Sequence, residues 1–321
     1  MELQGKVTSS WRAWANLIRL PNLLTVPGDV LVGFVLALHG RPPNADNLLI
    51  ALISGLCLYV AGLVMNDLVD LEIDRRERPA RSIASGAVSR SSARVCIAAL
   101  LTISLVLLGS RGALPLASGI TIGLLIFIYN MYARRSRFTA ALVMGLCRAG
   151  SVWLGVVAAS PGWHVYADAL IAPAWWFLFI GSISWLASRE MNHHPYGFER
   201  WLPALLIVVG ALSVSMLVDA VNQQAMFRGM LCFLFALMLA FQAGGSLGVA
   251  VLRKTSSHRI SKIDTSKIYP HAIGLLISSL IPLQAGLLVY SSGKPWVLLS
   301  ALLLLFCWPM NRLLAKYISP S

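Results

Sequence analysis

An all-α, polytopic transmembrane bundle of nine or ten spans is the fold class this sequence predicts, on two observations. Hydrophobic residues make up 57% of the 321 positions and charged residues 12%, with a mean hydropathy of +0.73. One soluble core could not hide that much apolar surface. Apolar runs near the roughly 20 residues that cross a bilayer as helix also recur along the whole chain. Spans fall near 22–39, 47–69, 93–110, 114–132, 139–159, 169–188, 201–219, 227–251, 270–290 and 296–310. The last is short and interrupted by Pro309, which sets the count at nine or ten. Residues 1–321 form a single transmembrane domain, with no separate soluble domain expected.

A net charge of +13 would point to nucleic acid in a soluble protein, yet here the basic residues sit in short loops. Loops from Arg75 to Arg94, at Arg134, Arg135 and Arg137, from Arg189 to Arg200 and from Arg253 to Lys267 alternate with poorly charged ones. The positive-inside rule puts them, and the N-terminus, in the cytoplasm. No nucleic-acid partner is implied. The 253–267 segment suits a solvated loop near anionic membrane lipid headgroups. Residues 1–20 lack the apolar core and cleavage site of a secretory signal, and Trp11 and Trp14, with Arg12 and Arg19 nearby, suit an interfacial lead-in. Cys57, Cys96, Cys147, Cys232 and Cys307 are scattered in apolar runs and read as small core residues, neither disulfides nor metal ligands.

Chemistry is concentrated in MNDLVDLEIDRRERPAR, Met65 to Arg81. On a helix, Asn66, Asp70 and Asp74 follow at i, i+4 and i+8 with Asp67 beside them, while Glu72 points away. Carboxylates so close raise one another's pKa unless a cation compensates them. Oxygen donors at a helix end suit Mg²⁺, which takes one or two carboxylates, waters and substrate phosphates. The arginines that follow supply planar bidentate donors for phosphate. Metal on one side and guanidinium on the other describes a diphosphate site. The competing reading is a solvated helix end on which Asp and Arg simply pair; the continuity of the acidic stripe with an apolar span favours function.

Asn66-Asp67-x-x-Asp70-x-x-x-Asp74, with Arg78-Pro79 and Ser85-Gly86 after it, resembles the first aspartate-rich motif of the UbiA superfamily of intramembrane prenyltransferases. RLPNLLTVPGDVLVG (Arg19 to Gly33) is similar to the family's first-helix signature, including Arg19, Asn22 and Asp29. YNMYARRSR (Tyr129 to Arg137) resembles the segment closing the fourth helix, and MGLCRAGSVWLG (Met144 to Gly155) the fifth-helix pattern, especially of the EboC-like branch. The resemblance runs from about residue 10 to 190. It implies a helical bundle with a central, laterally opening cavity, in which Mg²⁺ and basic residues ionise an isoprenyl diphosphate. The allylic cation then alkylates a lipophilic acceptor, commonly an aromatic ring. It further implies that Asn66, Asp67, Asp70 and Asp74 bind Mg²⁺-diphosphate, with Asp67 and Asp70 essential to turnover, that Arg78 and Arg135 contact phosphate oxygens, and that Asn22 and Arg148 line the cavity. Arg148, in an apolar span, needs an anion, a carbonyl cluster or a structural pair on another helix.

The family's second aspartate motif falls where this chain reads SWLASREMNHHPYGFER, without any Asp. Arg189 and Glu190 are the groups available there, Glu190 as a metal carboxylate and Arg189 as a phosphate cation in place of a second metal. His193 and His194 are adjacent and diverge on a helix, so solvated loop histidines are the expectation. Two functions follow from this departure: Mg²⁺-dependent prenyl transfer, or non-catalytic binding of an isoprenoid lipid on the same scaffold. An ion or solute transporter, with Asp29 and Arg148 on its path, is disfavoured by the one-sided clustering of charge. The orientation is testable: a cysteine at Ser85, with the five native cysteines replaced, should react with a membrane-impermeant maleimide only in inside-out vesicles, and labelling of right-side-out vesicles would refute it.

Overall fold

A computed structural model describes residues 10–39, 41–160, 167–188, 197–217, 223–255 and 268–317. A short α1 (Ser10–Leu17) and one turn, α2 (Leu20–Leu23), precede α3 (Val26–Ala37). The long α4 (Ala45–Val69) runs into α5 (Leu71–Glu77), followed by α6 (Arg90–Gly109), α7 (Ala113–Met131), α8 (Arg137–Ala159) and α9 (Ile171–Ala187). The C-terminal part contains α10 (Leu202–Leu217), α11 (Gln223–Thr255), α12 (Ile268–Ser278), α13 (Leu280–Ser291) and α14 (Pro295–Tyr317). Among the described residues there is no strand.

Eight of these segments are long and apolar enough to cross a membrane: Leu20–Ala37, Ala45–Val69, Arg90–Gly109, Ala113–Met131, Arg137–Ala159, Gln223–Gly248, Ile268–Ser291 and Pro295–Leu314. Two expected spans, near 169–188 and 201–219, are present as shorter helices of 17 and 16 residues, α9 and α10. The expected interruption at Pro309 is corrected, because α14 runs through it to Tyr317. One lost backbone hydrogen bond is tolerated where neighbouring turns and helices re-satisfy the freed carbonyl. Val95, Val106, Leu124, Leu302 and Phe306 remain exposed on α6, α7 and α14. Such faces suit hydrocarbon and would be a liability in water.

Residue character explains the breaks and ends. Pro21 and Pro27 open α2 and α3, where their missing N–H groups cost nothing. Arg19, at φ 48° and ψ 56°, turns the chain between α1 and α2. Asn44 and Ser89 cap α4 and α6 by accepting the amides of Asn47 and Ser92, each at 3.0 Å. In the C-terminal part α13 is buried at every residue from Leu280 to Tyr290 and forms the axis around which α11, α12, α14 and α3 pack.

The α3–α8 contact sets the position of everything polar inside. A Cβ at Gly33 would run into the Val152 carbonyl, and one at Gly155 into the Val30 carbonyl. Reciprocal glycines let the two backbones touch, the usual means of close packing between membrane helices. Gly155→Ala should therefore lower the melting temperature in detergent by several degrees, about 1–3 kcal/mol of overpacking. Gly123→Ala, where a Cβ meets open space, should not, and equal melting of the two variants would overturn this account.

Candidate active site

Helix α4 ends at Val69 and α5 begins at Leu71, with Asp70 at the joint (φ −80°, ψ 0°) as cap of both. The stripe expected to be straight is therefore bent, and its members separate into two pairs. Asn66 Nδ2 donates to Asp70 Oδ2 at 3.3 Å, and both residues are half-buried. Asp67 and Asp74 are buried, 6% and 5% exposed, and meet on a single cation: Arg81 Nη1 lies 3.1 Å from Asp67 Oδ1 and 3.0 Å from Asp74 Oδ2. Arg19 Nη2 approaches the same Asp67 oxygen at 3.4 Å. Glu72 points elsewhere, exposed and paired with Arg75 and Arg90.

Arg81 owes its place to the loop that follows it. Ile83 and Val88 insert into a small core with Ala13, Leu17, Val64 and Leu71. Ser82 Oγ donates to the Ala13 carbonyl at 2.7 Å, while the Val88 amide closes the loop onto the Ser82 carbonyl at 2.9 Å. Gly86, at φ +80°, makes the turn between them in a region that favours glycine. An apolar plug on each side of the turn thus fixes the arginine against the carboxylates. Arg78, expected at the phosphate, is exposed at the end of α5, and its amide donates to the Asp74 carbonyl at 2.8 Å. Arg81 and Arg19 hold the contacts with the acids.

Arg135 is exposed and lies over the Tyr132 ring at 6.0 Å. Asn22 is half-buried in α2, where its carbonyl accepts the Thr25 hydroxyl at 2.8 Å. Arg148 is buried and pairs with Asp29 Oδ2 on α3 at 2.9 Å. Arg189 and Glu190, with His193 and His194, lie outside the described residues. Helical spacing could not have found Arg81, which is 14 residues from Asp67 and reaches it only through the loop's fold. The signal present was Ile83 and Val88, two apolar residues in an otherwise polar segment.

Asp67 and Asp74 share Arg81, and Asp67 also faces Arg19. Burial raises the Asp74 carboxyl above its ordinary value; the charge and hydrogen bond of Arg81 pull it back, and Asp67 and Asp70 push it up again. Among the described residues no group of three or more His, Cys, Asp or Glu side chains is placed to hold a metal ion by itself. An all-oxygen donor set fits Mg²⁺ bound through one or two carboxylates, with water and phosphate completing its shell. It does not fit a structural metal.

The profile of the UbiA prenyltransferase family matches residues 29–241. Digeranylgeranylglyceryl phosphate synthase of Saccharolobus solfataricus is 29% identical over 151 residues, 46% of this chain and 52% of that protein. The match thus spans about half of that relative's length. Two solved structures share the fold. The apo structure of a UbiA homolog from Aeropyrum pernix K1 aligns with a TM-score of 0.63 at 16% identity, covering 84% of this chain and 97% of that one. A UbiA homolog from Archaeoglobus fulgidus, solved bound to GPP and Mg²⁺, aligns with a TM-score of 0.51 at 13% identity, covering 85% and 99%.

Removing the bridging guanidinium should leave Asp74 without its arginine and Asp67 with Arg19 alone. Arg81→Ala is expected to lower the melting temperature in metal-free detergent, with added Mg²⁺ restoring part of the loss, whereas Arg78→Ala should leave it unchanged. Equal effects in the two variants would show that the Arg81 bridge is not structurally important.

Proposed function

Since this chain belongs to the UbiA prenyltransferase family, we propose that it transfers an isoprenyl group from an isoprenyl diphosphate to a lipophilic acceptor within the membrane, with Mg²⁺ held at the α4–α5 joint. The observation that carries this reading is the placement of two pairs, Asn66 with Asp70 and Asp67 with Asp74, beside Arg81 and Arg19 where an apolar span ends. Asp70 and Asn66, with Asp67 and Asp74 behind them, would hold the ion. When bound it would neutralise charge growing on the diphosphate.

The chain's own residues have separable tasks. Arg81 and Arg19 set the geometry of Asp67, and their N–H groups not engaged with carboxylate are suited to phosphate oxygens. Arg78 and Arg135, both exposed, suit capture of an incoming anion more than its fixation. In the reaction the bond between isoprenyl C1 and the diphosphate oxygen breaks, both electrons leaving with diphosphate. The allylic cation is attacked by the acceptor, which then loses a proton. Positioning and electrostatic stabilisation supply the catalysis. The cytoplasmic face suits the site because its mouth is basic.

The absence of Asp from SWLASREMNHHPYGFER favours one second reading, an isoprenoid-diphosphate binder without turnover. One experiment separates the two. Purified protein should bind geranylgeranyl diphosphate in the presence of Mg²⁺ and not of EDTA, and should release pyrophosphate when lipid acceptors are supplied. Asp67→Asn and Asp70→Asn should each reduce release by about a hundredfold or more. Binding without release under every acceptor supports the second reading; unchanged release in both variants refutes the first.

A further inference from the structure

Arg148 sits in α8 only 6% exposed. Its ion pair with Asp29 Oδ2 at 2.9 Å and its hydrogen bond to Thr25 Oγ1 at 3.3 Å both leave from one nitrogen, Nη2. Its Nε is buried with no partner. A guanidinium presents five donors in a rigid fork, so most of this one is not engaged in holding Asp29. Asp29, for its part, is held from other directions. Trp176 Nε1 and Gln284 Nε2 donate to Oδ1 at 2.9 and 2.7 Å, and Gln284 Nε2 also reaches the Thr25 carbonyl at 2.8 Å. The Gln284 amide occupies the space a Cβ at Gly28 would need. Helices α3, α9 and α13 therefore fix the carboxylate, and the carboxylate fixes one end of the arginine.

The Arg148 guanidinium lies 5.7 Å from the centroid of the Tyr59 ring. Tyr59 is half-buried. It stands on α4 eight residues before Asp67, about 12 Å deeper along the helix axis. The arginine thus lies against α4 about two helical turns before the acidic cluster. Because Asp29 already balances Arg148, an added anion would leave a net charge among apolar helices, which is costly. A neutral oxygen satisfies the orphaned donor without that cost.

We propose that the unengaged edge of Arg148, positioned by Asp29 and backed by Tyr59, binds a neutral oxygen, as hydroxyl, phenol or carbonyl, of a lipophilic molecule two helical turns below the acidic cluster. The site stands on the geometry of Arg148; only the role of the bound molecule as prenyl acceptor rests on the transfer reading above. In that role the polar end is anchored at Arg148 and the reacting atom lies toward the diphosphate.

The test is equilibrium binding to the full chain in detergent with three probes: 4-octylphenol, octylbenzene and decanoate. Wild type should bind the phenol about tenfold or more tightly than either of the others. Arg148→Lys keeps a positive charge for Asp29 but lacks the fork, and should lose that preference, whereas Asp67→Asn should keep it. A preference unchanged in Arg148→Lys, a preference for decanoate, or equal losses in the two variants would overturn the proposal. If Arg148→Lys fails to fold, the uncharged double variant Asp29→Asn/Arg148→Gln replaces it, with the same loss expected and an unchanged preference again overturning. Geranylgeranyl diphosphate binding, measured in parallel, separates the two ideas. Its absence in wild type would remove the transfer reading and leave the oxygen site judged on the probes alone.

Discussion

A carboxylate with no exposed surface, in a chain that is 57% hydrophobic, is the constraint on which the inner structure depends. Asp29 could not stay charged among apolar helices without partners. It draws Arg148 from α8, Trp176 from α9 and Gln284 from α13, and through Gln284 it also holds the Thr25 carbonyl at the α2–α3 break. Apolar packing alone is indifferent to small rotations of one helix against another, since lipid tails are as apolar as leucine. This polar knot is not. It fixes the rotation of four helices at once, and the reciprocal glycines Gly33 and Gly155 allow α3 and α8 to approach closely enough for it to form.

The acidic cluster follows the same rule in a different setting. At Asp29 the charge is matched one to one by Arg148 among apolar helices. At the end of α4, Arg81 is shared by Asp67 and Asp74, and burial acts against the charged form of Asp74. The first pair lies within the bundle, whereas the second group lies where a span gives way to a polar loop. That position suits a cation and its phosphates.

Several features were legible in the residues themselves. Spans follow from apolar runs, and the grouping of Asn66, Asp67, Asp70 and Asp74 from helical spacing. Their finer arrangement was not legible. The bend at Asp70 splits the stripe, and the two buried carboxylates are bridged by Arg81. Proline was a poor stop signal at Pro309, because a helix among other apolar helices has no water competing for its freed carbonyl.

By itself the sequence determined the class of fold, the approximate number of spans and the acidic helix end, because these rest on local periodicity and composition, and its motifs carried the family resemblance. Only the tertiary structure decided which charge meets which. Arg81 reaches Asp67 across 14 residues through a loop pinned by Ile83 and Val88, and Gln284 reaches Asp29 across 255. Such pairings cost loop-closure entropy that grows slowly with separation. Packing therefore selects among distant partners on shape and charge, and separation along the chain gives no guide to the choice.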